Sequence, residues 1–227
     1  MAAPFTPLGT TWLLRIFVFL VDLWLRIFYR FDIQGLENIP EEGPCVIVGN
    51  HPGKLIIDVA AVLPFMRRRM FVGVIPSGPG GMRLKRPGWS PRLMRGIIRL
   101  IPTLHVHRGG SNPLDASVTL LQVLGGGQAL LLAPEGEVSW DGRLKPARPG
   151  AAWLALRAHA PVVPVGISGT YDVWPRWAKR MHLTGRIRVR IGRPFFLSEG
   201  KVNRIDRKTL DRAGERIMAE IGKLVAS

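Results

Sequence analysis

The chain of 227 residues is 47% hydrophobic and 21% charged, which excludes a disordered polymer and is long enough to bury one sizeable core. Its 32 Lys and Arg against 16 Asp and Glu give a formal charge of +16, which attracts a polyanion: nucleic acid, an anionic membrane or a phosphorylated substrate. A single cysteine, Cys45, excludes a disulfide framework or a cysteine-based metal site within the chain and fits a reducing compartment.

Residues 5–31 form the most apolar stretch, but its longest unbroken apolar run, 16–21, is far short of the ~20 residues that span a bilayer. Arg15, Asp22, Arg26 and Arg30 interrupt it. At about 100° per residue these four fall on one narrow helical face, and Asp22 and Arg26 form an i,i+4 pair. Trp12, Phe17, Phe19, Leu20, Leu23, Trp24, Ile27 and Phe28 occupy the rest of the circumference. The pattern predicts a helix lying in a membrane plane with its charged stripe toward water or headgroups. The alternative is an ordinary core-packing helix. Charges inside the apolar region, with no clean small-residue cleavage site, argue against a signal peptide. Residues 1–34 are thus read as a membrane-interface helix and 35–227 as one folded domain.

Gln34 to Gly43 reads as a turn-rich connector. Strands are predicted over 45–49, 70–75, 101–106, 129–133 and 162–167. Helices are predicted over 58–65, 113–124, 149–159 and 206–225, with a basic amphipathic stretch over 82–100 after a glycine- and proline-rich loop at 76–81. The run Arg186-Ile-Arg-Val-Arg-Ile191 alternates strictly, as a half-exposed strand does. Strands interleaved with helices predict an α/β domain with a largely parallel central sheet flanked by helices.

Several strand ends carry chemistry-bearing residues. Gly49-Asn50-His51-Pro52-Gly53-Lys54 follows the first strand, and Asp58 follows at a helix start. A His at the carboxyl end of a strand sits where α/β sheets place ligands, and a carboxylate holding its imidazole makes it a general base near neutral pH. Taken alone, a His near an Asp is equally compatible with a structural or surface role. Val106-His107-Arg108-Gly109-Gly110, Ala133-Pro134-Glu135-Gly136-Glu137-Val138-Ser139 and Val162-Val-Pro164-Val-Gly-Ile-Ser168-Gly-Thr170 are three more strand ends followed by glycine. Gly125-Gly-Gly127 lacks the Lys-Ser/Thr of a phosphate loop and reads as a turn. Ser168 does not sit in a hydrolase elbow. Cys45 reads as a small buried strand residue.

Asn50-His51 with Asp58, Arg108, Pro134-Glu135-Gly136 with Ser139, and Val163-Pro164-Val165 with Ser168-Gly169-Thr170 stand in the order of the four motif blocks of the glycerolipid acyltransferases, which the chain resembles from about Gly35 to Pro194. The resemblance to the bacterial 1-acylglycerol-3-phosphate acyltransferases implies roles. His51 takes the acceptor hydroxyl's proton and Asp58 orients it. Arg108 binds the acceptor phosphate. Asn50, Glu135, Gly136 and Ser139 belong to the acceptor site, and Pro164 shapes the acyl or carrier pocket. It implies acyl transfer from acyl-CoA or acyl carrier protein to the sn-2 hydroxyl of lysophosphatidic acid, with no metal and no cofactor beyond that co-substrate. It also implies a protein peripheral to the cytoplasmic face of the cell membrane.

The chain departs from the family's pattern in two places. His51 and Asp58 are further apart than usual; on one continuous helix they would lie roughly 10 Å apart along the axis. A contact between them requires His51 in a loop, eased by Pro52 and Gly53, that folds back on a helix beginning near Asp58. Glu137 and Val138 replace the Thr and Arg of many members, so Arg143, Lys145 or Arg148 is expected to supply that charge. This altered block motivates a second acceptor, such as a lyso-aminolipid. A basic nucleic-acid-binding module is the rival from another class. With seven Trp and nine Phe but two Tyr, and neither an RNP-type aromatic pattern nor a helix-turn-helix cue, the composition favours an anionic membrane surface over nucleic acid as partner.

Overall fold

The computed structural model describes residues 12–67, 71–77, 103–107, 113–200, 202 and 204–226. Helix α1 (Trp12–Phe28) contains no glycine or proline and buries Leu14, Val18 and Leu25 in the core. Asp22 lies on the same buried side, and its Oδ2 accepts from Arg26 Nε at 3.1 Å one turn on. Trp12, Ile16, Phe19, Leu20, Leu23, Ile27 and Phe28 are exposed. Of the charged stripe only Asp22 is buried, while Arg15 and Arg26 stay exposed. The stripe runs along the seam between two apolar faces, one packed on the core and one bare, which is why the apolar arc is wider than one protein face needs.

The helix expected to reach residue 31 stops at Phe28, and the chain passes directly into strand β1 (Tyr29–Gln34). Tyr29, Phe31 and Ile33 alternate with Arg30, Asp32 and Gln34, a period of two that the apolar helix before it masks. Because β1 is a strand of the central sheet, residues 29–34 belong to the α/β domain and the boundary expected at 34 falls inside it.

The remaining elements are β2 (Cys45–Gly49), α2 (Leu55–Val62), β3 (Phe71–Ser77), β4 (Thr103–His107), α3 (Pro113–Gly125), β5 (Ala129–Leu132), α4 (Pro149–Ala158), β6 (Val162–Ser168), the single turn α5 (Thr170–Val173), β7 (Gly185–Ile191) and α6 (Arg207–Ala226). Short 3-10 turns cover Leu36–Asn38 and Leu63–Arg67. The strands form one sheet in the order β1-β7-β6-β2-β5-β3-β4. Every neighbouring pair is parallel except β6–β7, so the largely parallel sheet flanked by helices is present. Strand β3 continues through Ser77, past the Pro76 at which a loop was expected to begin; the rest of that loop and the basic stretch at 82–100 lie outside the described residues.

Two apolar layers cover the sheet. Cys45, Ile47, Val163, Val165 and Ile167 pack with α1 and α2 on one face; Val46, Val48, Leu130 and Val162 pack with α3, α4 and α6 on the other. Strands buried on both faces read as continuous apolar runs, as β2 does. Parallel register sets Val48 beside Leu132 and Gly49 beside Val165. The residues after β2, β5 and β6 therefore leave the sheet along one edge, the carboxyl edge where α/β sheets place ligands.

Candidate active site

Helix α2 begins at Leu55, earlier than expected, which puts Asp58 in its first turn and leaves 50–54 as a loop. That loop folds back: His51 Nδ1 lies 2.5 Å from Asp58 Oδ2, and the Gly53 N–H donates to the same oxygen at 3.0 Å. An ionised carboxylate can only accept, so Nδ1 carries the hydrogen and Nε2 keeps its lone pair for an incoming proton. A negative charge in a helix's first turn is favoured by the helix dipole. Gly53 is required here because a Cβ would stand 2.7 Å from the Thr170 carbonyl oxygen. The longer spacing between His51 and Asp58 is thus absorbed by a glycine packed against the start of α5.

The segment after β5 closes over this pair. Pro134 and Glu135 occupy a turn in which the Gly136 N–H donates to the Ala133 carbonyl at 3.0 Å, and Gly136 has φ +71°. The Ser139 N–H donates to the His51 carbonyl at 2.8 Å. Its buried hydroxyl sits 3.0 Å from both Asp141 Oδ1 and the Arg143 carbonyl, so Ser139 braces the loop. Glu135 is buried: Oε1 accepts from the His51 N–H at 3.4 Å, and Oε2 has no protein partner among the described residues. Arg148 Nε donates to the Glu135 carbonyl and Arg176 Nη1 to the Val138 carbonyl, each at 3.1 Å, so both cations contact the third block's backbone. Lys145 instead pairs with Glu137 at 3.4 Å, and the Arg143 N–H donates to Asp141 at 3.1 Å.

Burial pushes the Glu135 carboxyl above the ordinary carboxylate range, partly offset by the N–H groups of His51 and Lys145. A carboxyl whose folded pKa is raised adds stability below its unfolded pKa and loses that contribution as pH rises through the folded value. Glu135→Gln, neutral at every pH, is expected to gain on the wild type in Tm as pH rises through the range above the ordinary glutamate value, about 4.3. Thermal melts across that range check the sign; a variant advantage that shrinks with rising pH would contradict it.

Two sequence expectations take other forms. Asn50 uses its amide within the fold: Nδ2 donates to the Ile167 carbonyl at 2.9 Å and Oδ1 accepts the Ile167 N–H at 2.7 Å, all buried. It clamps the end of β2 to β6. Asn50→Ala would strand both backbone groups and is expected to cost about 2–4 kcal/mol, read by denaturant unfolding. Pro164 does not border His51. Strand alternation turns it to the α6 face, where a Cβ on Gly192 would lie 2.8 Å from its ring and 3.2 Å from Leu224; Asp58 belongs to the opposite layer. Arg108 lies outside the described residues. The fold-back expected at Pro52-Gly53 is present, and Arg176, whose Nη1 donates to the Val138 carbonyl at 3.1 Å, is the contact with the third block that the sequence did not single out.

The family model described as Acyltransferase matches residues 30–168, more than half of the chain. A chloroplastic 1-acyl-sn-glycerol-3-phosphate acyltransferase of Brassica napus is 30% identical over 201 residues, covering 86% of this chain and 55% of that protein. The alpha form of the same enzyme from Mus musculus is 25% identical, covering 71% of this chain and 53% of that protein. The chain therefore spans about half the length of the curated relatives it matches. The crystal structure of the 1-acyl-sn-glycerophosphate acyltransferase of Thermotoga maritima superposes with a TM-score of 0.68 at 20% identity, covering 96% of this chain and 82% of that one, and shows a shared fold.

Proposed function

The chain belongs to the acyltransferase family, and we propose that it moves a fatty acyl group from acyl-CoA or acyl carrier protein to the sn-2 hydroxyl of lysophosphatidic acid. The observation that carries this reading is the His51–Asp58 pair at the carboxyl edge of the sheet, with buried Glu135 against the His51 backbone. A hydroxyl is a poor nucleophile until a base removes its proton, whereas a thioester is already activated. His51 Nε2 takes that proton as the oxygen attacks the thioester carbonyl carbon. The carbon–sulfur bond then breaks, and the imidazolium returns the proton to the departing thiolate. Asp58 holds the ring and stabilises its charged form. Glu135 and Gly136 position the glycerol part of the acceptor, and the names of the relatives support lysophosphatidic acid as that acceptor.

Arg108 reads the acceptor phosphate in this account, since a guanidinium donates as a bidentate fork. Arg108→Lys is then expected to raise the KM for lysophosphatidic acid more than the KM for the donor; equal effects would remove Arg108 from headgroup recognition. Among the described residues no helix is long and apolar enough to cross a membrane. The bare apolar face of α1 supports a helix lying in one leaflet, on the cytoplasmic face of the cell membrane, so that lysolipids reach the site without leaving the bilayer. Turnover of purified protein on a panel of lysolipids with both donor types tests the reading; a preference for a lyso-aminolipid would move the acceptor, and no transfer to any lysolipid would overturn it.

A further inference from the structure

Outside α1, five large apolar side chains are exposed among the described residues, and three of them, Trp140, Trp177 and Leu183, stand on the loops that follow β5 and α5. Single exposed apolar residues are ordinary, but here two indoles are joined through one hydroxyl. The Tyr171 hydroxyl donates to the Trp140 carbonyl at 3.2 Å and accepts from Trp177 Nε1 at 3.4 Å. The Arg176 guanidinium lies 4.1 Å over the Trp140 ring while its Nη1 donates to the Val138 carbonyl. Gly142, at φ +78°, lets the two loops close: a Cβ there would stand 2.8 Å from the Tyr171 ring. The loops are thus fastened to each other, and Trp140 and Trp177 stay 55% and 64% exposed on that base. Holding two large rings against water is unfavourable unless something covers them.

The indoles lie on the side of the sheet that carries the His51–Asp58 pair. Val173 belongs to the core layer that α1 and α2 share, and Trp174 and Met181 pack against it. The hydroxyl of Tyr29, the residue after α1, donates to the His182 carbonyl at 2.9 Å. The loop after α5 therefore abuts the end of α1 where Ile27 and Phe28 are bare. Trp140 directly follows Ser139, whose N–H donates to the His51 carbonyl. The bare end of α1, the indole pair and the candidate site thus follow one another along one side of the molecule.

We propose that Trp140 and Trp177 form a second membrane contact, seated at the headgroup level of an anionic bilayer, that turns the rim of the His51 site toward the leaflet. The direction of the bilayer rests on the reading of α1 as a helix lying in one leaflet; the indole pair itself does not. Indoles combine an apolar ring with a polar edge and favour that level of a membrane. Lys179 and Arg180 are exposed in the same loop, and anionic headgroups attract such cations. The face of an acidic carrier protein would give these two cations a partner but would leave the indoles without an apolar phase. A single contact through α1 lets the domain swivel about the helix. A second one fixes which edge meets the lipid, so that a lysolipid enters without leaving the bilayer.

Flotation of the full chain with phosphatidylglycerol vesicles, wild type against Trp140→Ser/Trp177→Ser, tests this. The variant is expected to bind about tenfold more weakly or worse, with its Tm unchanged. Transfer to lysophosphatidic acid in vesicles falls in step, while transfer to a short-chain, water-soluble acceptor stays unchanged. If the serine variant does not fold, Trp140→Phe/Trp177→Phe keeps a ring at both positions and is read by fluorescence. The emission lost with these two indoles is expected to be emission that brominated phosphatidylglycerol quenches in the wild type. Equal vesicle binding by the serine variant and the wild type overturns the proposal. So does a loss confined to emission that the brominated lipid never quenched, or a serine variant whose only loss is the binding of acyl carrier protein. Release by Phe19→Ser/Leu23→Ser/Ile27→Ser but not by the tryptophan variant would remove the second contact and leave the reading of α1 standing. The reverse pattern would keep the indole contact and remove the reading of α1.

Discussion

His51→Ala is expected to lower acyl transfer by about 10²–10⁴-fold, the range in which a positioned general base contributes. The fold should survive, because the ring sits at the rim with its side chain 14% exposed and only its Nδ1 engaged in the contacts described. Asp58→Asn is the sharper companion. An amide can donate to Nδ1 where the carboxylate only accepted. That would place the remaining imidazole hydrogen on Nε2, and the nitrogen facing the substrate could no longer take a proton. Activity is expected to fall within the same range while vesicle binding stays at the wild-type level. Steady-state turnover at saturating substrate, with circular dichroism as the folding control, separates the cases. Near-normal turnover by folded His51→Ala would remove the imidazole from the chemistry.

Phe19→Ser/Leu23→Ser/Ile27→Ser is expected to release the protein from anionic vesicles. These side chains are 53%, 41% and 66% exposed on the bare face of α1. Each is worth about 1.5–3 kcal/mol when moved from water into an apolar phase. Three together exceed about 4 kcal/mol, or roughly 10³-fold in partitioning. Since none of the three fills the core, the Tm should hold, and transfer to a short-chain, water-soluble acceptor should persist. Truncation before Gly35 is the wrong instrument, because it would remove Leu14, Val18, Leu25, Tyr29 and Phe31 from the core and β1 from the sheet. Vesicle flotation reads the outcome. Unchanged flotation would mean that α1 is not the membrane contact and would turn attention to Trp140 and Trp177, exposed near the site.

What was legible in the sequence followed from locality. The glycine-marked ends of β2 and β5 are short apolar runs followed by turn residues, and parallel strands bring such ends to one edge without further information. His51 and Asp58 lie within one loop and one helical turn, so a fold-back at Pro52-Gly53 was the geometry that could join them. What was hidden depended on partners distant in the chain. The resemblance placed Asn50 in the acceptor site; only the β2–β6 pairing reveals that its amide donates to and accepts from the Ile167 backbone. Pro164 too was assigned by the resemblance, to an acyl or carrier pocket, and its place beside Val48 follows from a register that no local pattern states. The alternation of Arg186, Arg188 and Arg190 was plain, but β1, the strand that pairs with it, was absorbed into the apolar segment before it. Asp22 was counted with the water-facing charges because a helix with two apolar faces leaves open which of them packs.

The most direct test of base-catalysed acyl transfer by His51 is the stoichiometry of products from purified protein, lysophosphatidic acid in vesicles and an acyl thioester. Phosphatidic acid is followed by mass spectrometry and free thiol by colorimetry, with folded His51→Ala run alongside. The account predicts one thiol released for each phosphatidic acid formed by the wild type, and neither product above background from the variant. Thiol released without phosphatidic acid, or equal transfer by both proteins, would contradict it.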